Sequence, residues 1–183
     1  MAQFTRLEIP DVVLVTPKVF EDERGFFLES YREERFAAAG ISARFVQDNH
    51  SASAQGVLRG LHYQIKQAQG KLVRVIAGEI YDAVVDLRRS SSTFGRWLGV
   101  TLSAQSKNQL WVPPGFAHGF YVVSPRAEIL YKASDYYAPQ FERALLWNDP
   151  ALAISWPLVD GKPPTLSGKD AVGLPLSQAE TYE

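Results

Sequence analysis

A chain of 183 residues, 46% hydrophobic and 21% charged, can bury one core and has the make-up of an ordinary globular protein. Its formal net charge of -1 argues against a whole-surface field for nucleic acid or an anionic membrane, although nineteen Lys and Arg leave room for a local basic pocket. The chain has no cysteine, which rules out disulfides, thiolate nucleophiles and cysteine-held metals.

Strand signals dominate from the start. Val12 to Val15, between Pro10 and Pro17, reads as a short strand and is far too short for a signal-peptide core. No apolar run approaches the ~20 residues of a spanning helix, so the expectation is a soluble, cytoplasmic chain without a membrane or nucleic-acid partner. Ser30, with Glu33 three residues later, predicts a capping box for a helix over Arg32 to Ala39 that Gly40 ends. Further strands are expected at Phe45 to Gln47, Leu58 to Gln64, Lys71 to Ala77, Ile80 to Leu87, Trp97 to Leu102, Gln109 to Val112, Phe120 to Ser124 and Ile129 to Asp135. Gly78-Glu79 between two of these runs reads as a tight hairpin turn. After Trp147-Asn148-Asp149-Pro150 the composition turns to Pro, Gly and Leu, with short helical turns expected outside the sheets. Many short strands and no linker or repeat predict one all-β domain over 1–183, an antiparallel sandwich or barrel with a few short flanking helices.

The three histidines are His50, His62 and His118. A metal-binding barrel of the His-x-His kind needs a second ligand two positions on, and the residue there after His62 is Gln64. His62 and His118 alone make a poor ligand set where three or four protein ligands are usual, so the expectation is no metal and no cofactor. No Gly-rich dinucleotide fingerprint is present either. Strand alternation puts Leu58, Gly60, His62 and Gln64 on one face and Arg59, Leu61 and Tyr63 on the other. A pocket using both Arg59 and His62 therefore needs a bulge, and Gly60 is the natural place for it. Alternation also groups Ile129, Tyr131, Ala133 and Asp135, which leaves Tyr131 either a core aromatic or an inward-facing reactive group.

Six segments, in order, carry a resemblance. They are Glu23-Arg24-Gly25-Phe26-Phe27-Leu28-Glu29, Arg59-Gly60-Leu61-His62, Gln69-Gly70-Lys71-Leu72-Val73-Arg74, Pro113-Pro114-Gly115-Phe116-Ala117-His118-Gly119-Phe120, Tyr131-Lys132-Ala133-Ser134-Asp135-Tyr136-Tyr137 and Leu166-Ser167-Gly168-Lys169-Asp170. Together they resemble the dTDP-4-dehydrorhamnose 3,5-epimerase family, from about Ile9 to Asp170. The resemblance implies a cupin-type jelly roll with a pocket inside the barrel. It implies His62 as general base, Tyr131 as general acid, Asp170 as the carboxylate that orients His62, and Lys71 beside the sugar carbonyl. Ser167-x-x-Asp170 also fits a capping box, and the two uses are compatible. Nucleotide and sugar contacts are implied for Arg24, Glu29, Gln47, Asp48, Asn49, Arg59, His118, Glu142 and Lys169. Arg24 and Glu29 are expected to reach a partner subunit's pocket, which implies a homodimer.

The implied substrate, dTDP-4-dehydro-6-deoxy-D-glucose, gives these groups their work. Its C4 ketone acidifies the hydrogens at C3 and C5, so one base suffices if a cation answers the enolate. Imidazole titrates near neutrality and suits that base. Inversion needs a second group on the opposite face. Arginine forks suit the pyrophosphate, and Phe27 or Tyr136 would stack on thymine. A single-centre epimerase of another dTDP-deoxysugar pathway, a metal-dependent oxygenase of the same fold and a non-catalytic nucleotide-sugar binder are the rival readings.

Overall fold

The computed structural model describes all of residues 1–183. Its strands and helix run β1 (Gln3–Arg6), β2 (Val13–Thr16), β3 (Val19–Asp22), β4 (Gly25–Leu28), α1 (Glu33–Ala38), β5 (Gln47–Ala54), β6 (Leu58–Gln64), β7 (Lys71–Ala77), β8 (Glu79–Asp86), β9 (Trp97–Ser103), β10 (Gln109–Val112), β11 (Phe116–Val122), β12 (Arg126–Ala133) and β13 (Glu142–Ala144). Short 3₁₀ turns follow at Pro139–Phe141, Val159–Gly161, Asp170–Val172 and Leu176–Gln178. No helix is long and apolar enough to cross a membrane.

Two antiparallel sheets face each other. One has the order β1-β2-β10-β7-β12-β5 and the other β13-β6-β11-β8-β9, while β3 and β4 form a separate hairpin. The chain keeps changing sheets between consecutive strands, as from β5 to β6, β7 to β8 and β10 to β11, which is the jelly-roll way of closing a barrel without long open edges. The faces follow from alternation. Val73 and Val75 of β7, Ile129 of β12, Ile80 and Val84 of β8, and Phe116 and Phe120 of β11 meet in the central core. Leu72 and Trp111 turn outward, under Phe36 of α1. Leu61 and Tyr63 of β6, with Ala83 and Val85 of β8, pack behind the other sheet against Leu145, Leu152 and Ala179 of the C-terminal segment. The partners that exclude water from both faces explain why so many short strands hold together.

Five expectations are corrected. Gly78 does not close a hairpin, since β7 and β8 belong to different sheets. It turns the chain from one sheet to the other at φ +76°, where a Cβ would stand 2.0 Å from the Arg126 carbonyl oxygen. The helix starts one residue later than expected and ends one earlier, with Arg32 at its cap and no side-chain bond there. Ser30 instead offers its carbonyl to Gln109 Nε2 at 2.8 Å, while Glu29 pairs with Arg32 and Arg35. The strand expected at Phe45 begins at Gln47 and runs to Ala54; its polar sequence hid it, because the inward positions line a cavity rather than a core. The strand expected from Phe120 already starts at Phe116 and stops at Val122, where Ser124 Oγ bonds the Glu79 N–H and the Arg126 carbonyl in the turn. The last long strand is likewise shifted toward the N-terminus, to Arg126–Ala133.

Candidate active site

The register of β6 against β11 pairs His62 with His118 and Arg59 with Phe120. Three steps on one strand thus match two on the other, a bulge centred on Gly60 and Leu61. Gly60 sits at φ +130°, and a Cβ there would come within 2.4 Å of Gly119 Cα. Only glycine allows this approach, and the extra residue turns Arg59 and His62 to the same side. Both line a cavity of about 540 Å³ between the sheets, with β5, β7 and β12 forming the opposite wall.

Asp170 is buried beside His62 and uses both of its oxygens. Oδ1 lies 2.7 Å from His62 Nε2 and accepts the Gly60 N–H at 3.0 Å. Oδ2 accepts the Ser167 hydroxyl at 2.6 Å and the Ser167 N–H at 3.3 Å, while Ser167 Oγ in turn accepts the Asp170 N–H. The capping-box bonds and the histidine contact therefore coexist. Nε2 makes no aligned hydrogen bond despite its short distance to Oδ1, and the contact becomes an ion pair when the imidazole takes up a proton. Burial alone would raise the Asp170 carboxyl, yet His62, Ser167 and the Gly60 N–H outweigh it and hold the group well below the ordinary carboxylate range. With Asp170 on the Nε2 side, the ring turns Nδ1 to the cavity.

Across the cavity, Tyr131 stands on β12 beside Ile129, the buried residue that shares its face. Burial raises its phenol above the usual value, with Lys169 and Arg59 opposing and Glu142 and Tyr137 assisting. It is therefore held protonated near neutrality. Lys71 opens β7 and keeps part of its surface open to the cavity while the barrel encloses the rest. Burial pushes its ammonium down to about 8, against the pull of Asp82 and Glu142, and Lys169 lowers it further.

The other expected residues divide into two groups. Arg59 is fixed by Ser53 Oγ at 3.0 Å, and Gln47 Nε2 bonds Asn49 Oδ1 at 3.0 Å; Arg59, Gln47 and Asn49 line the cavity. Glu142 and Lys169 pair across its rim at 2.5 Å. His118 lines it too, with Nε2 2.9 Å from each Asp82 oxygen. Asp48 does not, because the alternation of β5 turns it outward to Lys132 at 3.0 Å. Arg24 is exposed at the tip of the β3–β4 hairpin, paired with Asp22 at 2.5 Å, and Glu29 lies beside α1. Phe27 and Tyr136 are exposed away from this cavity, whereas Tyr137 lines it. His50 pairs with Glu128 at 3.1 Å on the barrel's edge.

Two functional groups escaped the sequence reading. Asp82 is fully buried in the stretch 80–85 of β8, which holds no other charge, and an acid in such a run was the signal for it. Tyr137 bonds Glu142 Oε2 at 2.9 Å, and its N–H donates to Gln47 Oε1 at 2.9 Å. Gln64 braces the same segment through the Ala138 N–H and the Tyr136 carbonyl. No three His, Asp or Glu side chains gather as a metal site would require.

A model of the dTDP-4-dehydrorhamnose 3,5-epimerase family matches residues 6–178. The dTDP-4-dehydrorhamnose 3,5-epimerase of Pseudomonas aeruginosa is 59% identical over 179 residues, 97% of this chain and 98% of the relative. A solved dTDP-6-deoxy-D-glucose-3,5-epimerase from Legionella pneumophila, in complex with dTDP-4-keto-L-rhamnose, superposes with a TM-score of 0.95 at 50% identity, covering 98% of this chain and 95% of the other. A 3′-monoepimerase from Streptomyces bikiniensis in complex with dTDP-quinovose is also similar, with a TM-score of 0.86 at 33% identity over 93% of this chain and 86% of that one.

Proposed function

The chain belongs to the dTDP-4-dehydrorhamnose 3,5-epimerase family, and on that premise we propose how its residues invert C3 and C5 of dTDP-4-dehydro-6-deoxy-D-glucose to give dTDP-4-dehydro-L-rhamnose. One observation carries the assignment. His62 stands on β6 of one sheet and Tyr131 on β12 of the other, both lining the same cavity. A sugar ring between them has a base on one face and an acid on the other.

His62 Nδ1 takes the proton from a carbon beside the ketone, and the electron pair moves into the enolate oxygen at C4. Asp170 stabilises the imidazolium from the far side of the ring. Lys71 lies where an ammonium can offset charge at O4; at ~4 Å and an effective dielectric near 20 such a contact is worth about 4 kcal/mol. Tyr131 returns a proton from the opposite face, which inverts the carbon. Arg59 and Lys169 supply the positive side of the cavity for the pyrophosphate, and His118 faces the same space as a partner for the sugar oxygens. Tyr137, at the rim, is the aromatic surface available to the thymine.

Arg24 and Glu29 stand apart from their own cavity, and the hairpin that bears Arg24 exposes Phe26 and Phe27 at 61% and 70%. These features support a homodimer in which that hairpin serves the neighbouring subunit's cavity. The identities favour the double epimerase, since relatives of that name reach 59% against 33% for the single-centre enzyme. Incubation with the substrate in deuterated water, followed by NMR, tests the activity. Deuterium at both C3 and C5 with inversion supports it, and inversion at one carbon alone overturns the double-epimerase reading.

A further inference from the structure

Asp82 lies in the middle of β8, on the inward face it shares with Ile80 and Val84, and is fully buried. A carboxylate without water is costly unless a donor or cation answers it. Its hydrogen-bonding partner is His118 Nε2, 2.9 Å from each oxygen. His118 is in turn the direct cross-strand neighbour of His62 on one side and of Val84 on the other. Two imidazoles thus stand side by side, each with a carboxylate against Nε2. The second pair has no part in the proton transfers described above.

Lys71 reaches the same region from the opposite sheet. Of the carboxylates around it, Glu142 of β13 is engaged by Lys169 and Tyr137, and Asp170 by His62 and Ser167. Arg59 and Lys169 add positive charge, while Tyr131 and Tyr137 face the cavity as phenols. Asp82 meets the cavity through His118, which lines it together with Lys71.

We propose that Asp82 is a positioning residue for this wall of the cavity: it holds His118 with Nε2–H turned to β8 and Nδ1 to the substrate, and its negative charge answers the Lys71 side chain that lines the same cavity. The proposal rests on the epimerase reading for what the Lys71 ammonium does. It explains why β8 carries a buried acid between Ile80 and Val84. Burial drives the Lys71 proton off, and Asp82 is the strongest opposing influence.

The test is Asp82→Asn, which keeps shape and removes charge. In ligand-free protein, the ¹³Cε resonance of Lys71 is titrated in both forms. The expected midpoint in the variant lies about one pH unit lower, and the alkaline limb of kcat/KM moves with it, a tenfold loss at a fixed pH on that limb. An unmoved Lys71 midpoint, or a loss uniform at every pH, overturns the proposal and leaves Asp82 a packing residue. Should the variant not fold, ¹⁵N spectra of the wild-type imidazoles decide: His118 protonated at Nε2 across the neutral range supports the role, and His118 protonated only at Nδ1 overturns it. If the wild type turns over no substrate, the epimerase reading fails while the ligand-free titration still judges Asp82.

Discussion

Replacing Asp170 by Asn removes one charge and almost no volume, which makes it a clean probe of the His62 pair. The amide oxygen can keep one acceptor role, toward either the Gly60 N–H or the Ser167 hydroxyl, but the amide nitrogen cannot accept at the other site. Hydrogen bonds to a charged acceptor contribute about 1.5–3 kcal/mol against about 0.5–1.5 for neutral ones, so a loss of about 1–3 kcal/mol in stability is expected. At about 2–4 °C per kcal/mol for a chain of this size, Tm should fall by about 2–12 °C. The sign with pH is fixed by the depressed carboxyl. Its contribution is complete above the unfolded value near about 4 and disappears as pH falls through the lower folded value. The gap in Tm between wild type and variant should therefore persist from neutrality down to about pH 4 and narrow below it. Catalysis should suffer more, by about 10²–10⁴-fold in kcat, because the imidazolium loses its counter-charge and the ring its preferred tautomer. Thermal melts by circular dichroism and initial rates by NMR measure both effects. A variant with kcat within about threefold of wild type would refute the assignment of Asp170 as the partner of the base, since a general acid–base group is worth far more than that.

His62→Ala should abolish deuterium exchange at C3 and C5 together, while dTDP binding measured by calorimetry stays within a few-fold; surviving exchange at one carbon would mean a second base. Activity should fall as pH rises through about 8, because Lys71 is charged below that value and neutral above it, and a rate profile flat through that region counts against Lys71 as the enolate's cation. Arg59→Ala removes a guanidinium that Ser53 aims along the cavity wall, so KM should rise about tenfold or more with kcat little changed. An unchanged KM would show that Arg59 does not hold the nucleotide.

The sequence disclosed the strands with apolar inward faces. Leu58–Gln64, Lys71–Ala77 and Gln109–Val112 were expected at the bounds where they occur, because β-branched and aromatic residues there fill the barrel. It concealed β5, since a strand whose inward side chains meet substrate space rather than core need not be apolar. It misjudged Gly78 because a tight turn between strands has the same residues whether the strands pair or part to different sheets. The Gly60 bulge was legible, for it was the only local way to bring Arg59 and His62 to one side. Asp48 was carried into the site by its motif, and the pleat of β5 turns it away. Asp82 and Tyr137 were missed because their roles depend on partners 36 positions and 5 positions away that no local pattern links to them.

Opposite-face proton return is the heart of the mechanism, and Tyr131→Phe followed in deuterated water examines it most directly. The variant keeps His62, Asp170 and Lys71, so C5 should still lose its proton and the recovered substrate should carry deuterium there with its original configuration. Inverted product appearing at the wild-type rate would contradict the account, because the proton would then be arriving at that face from another donor.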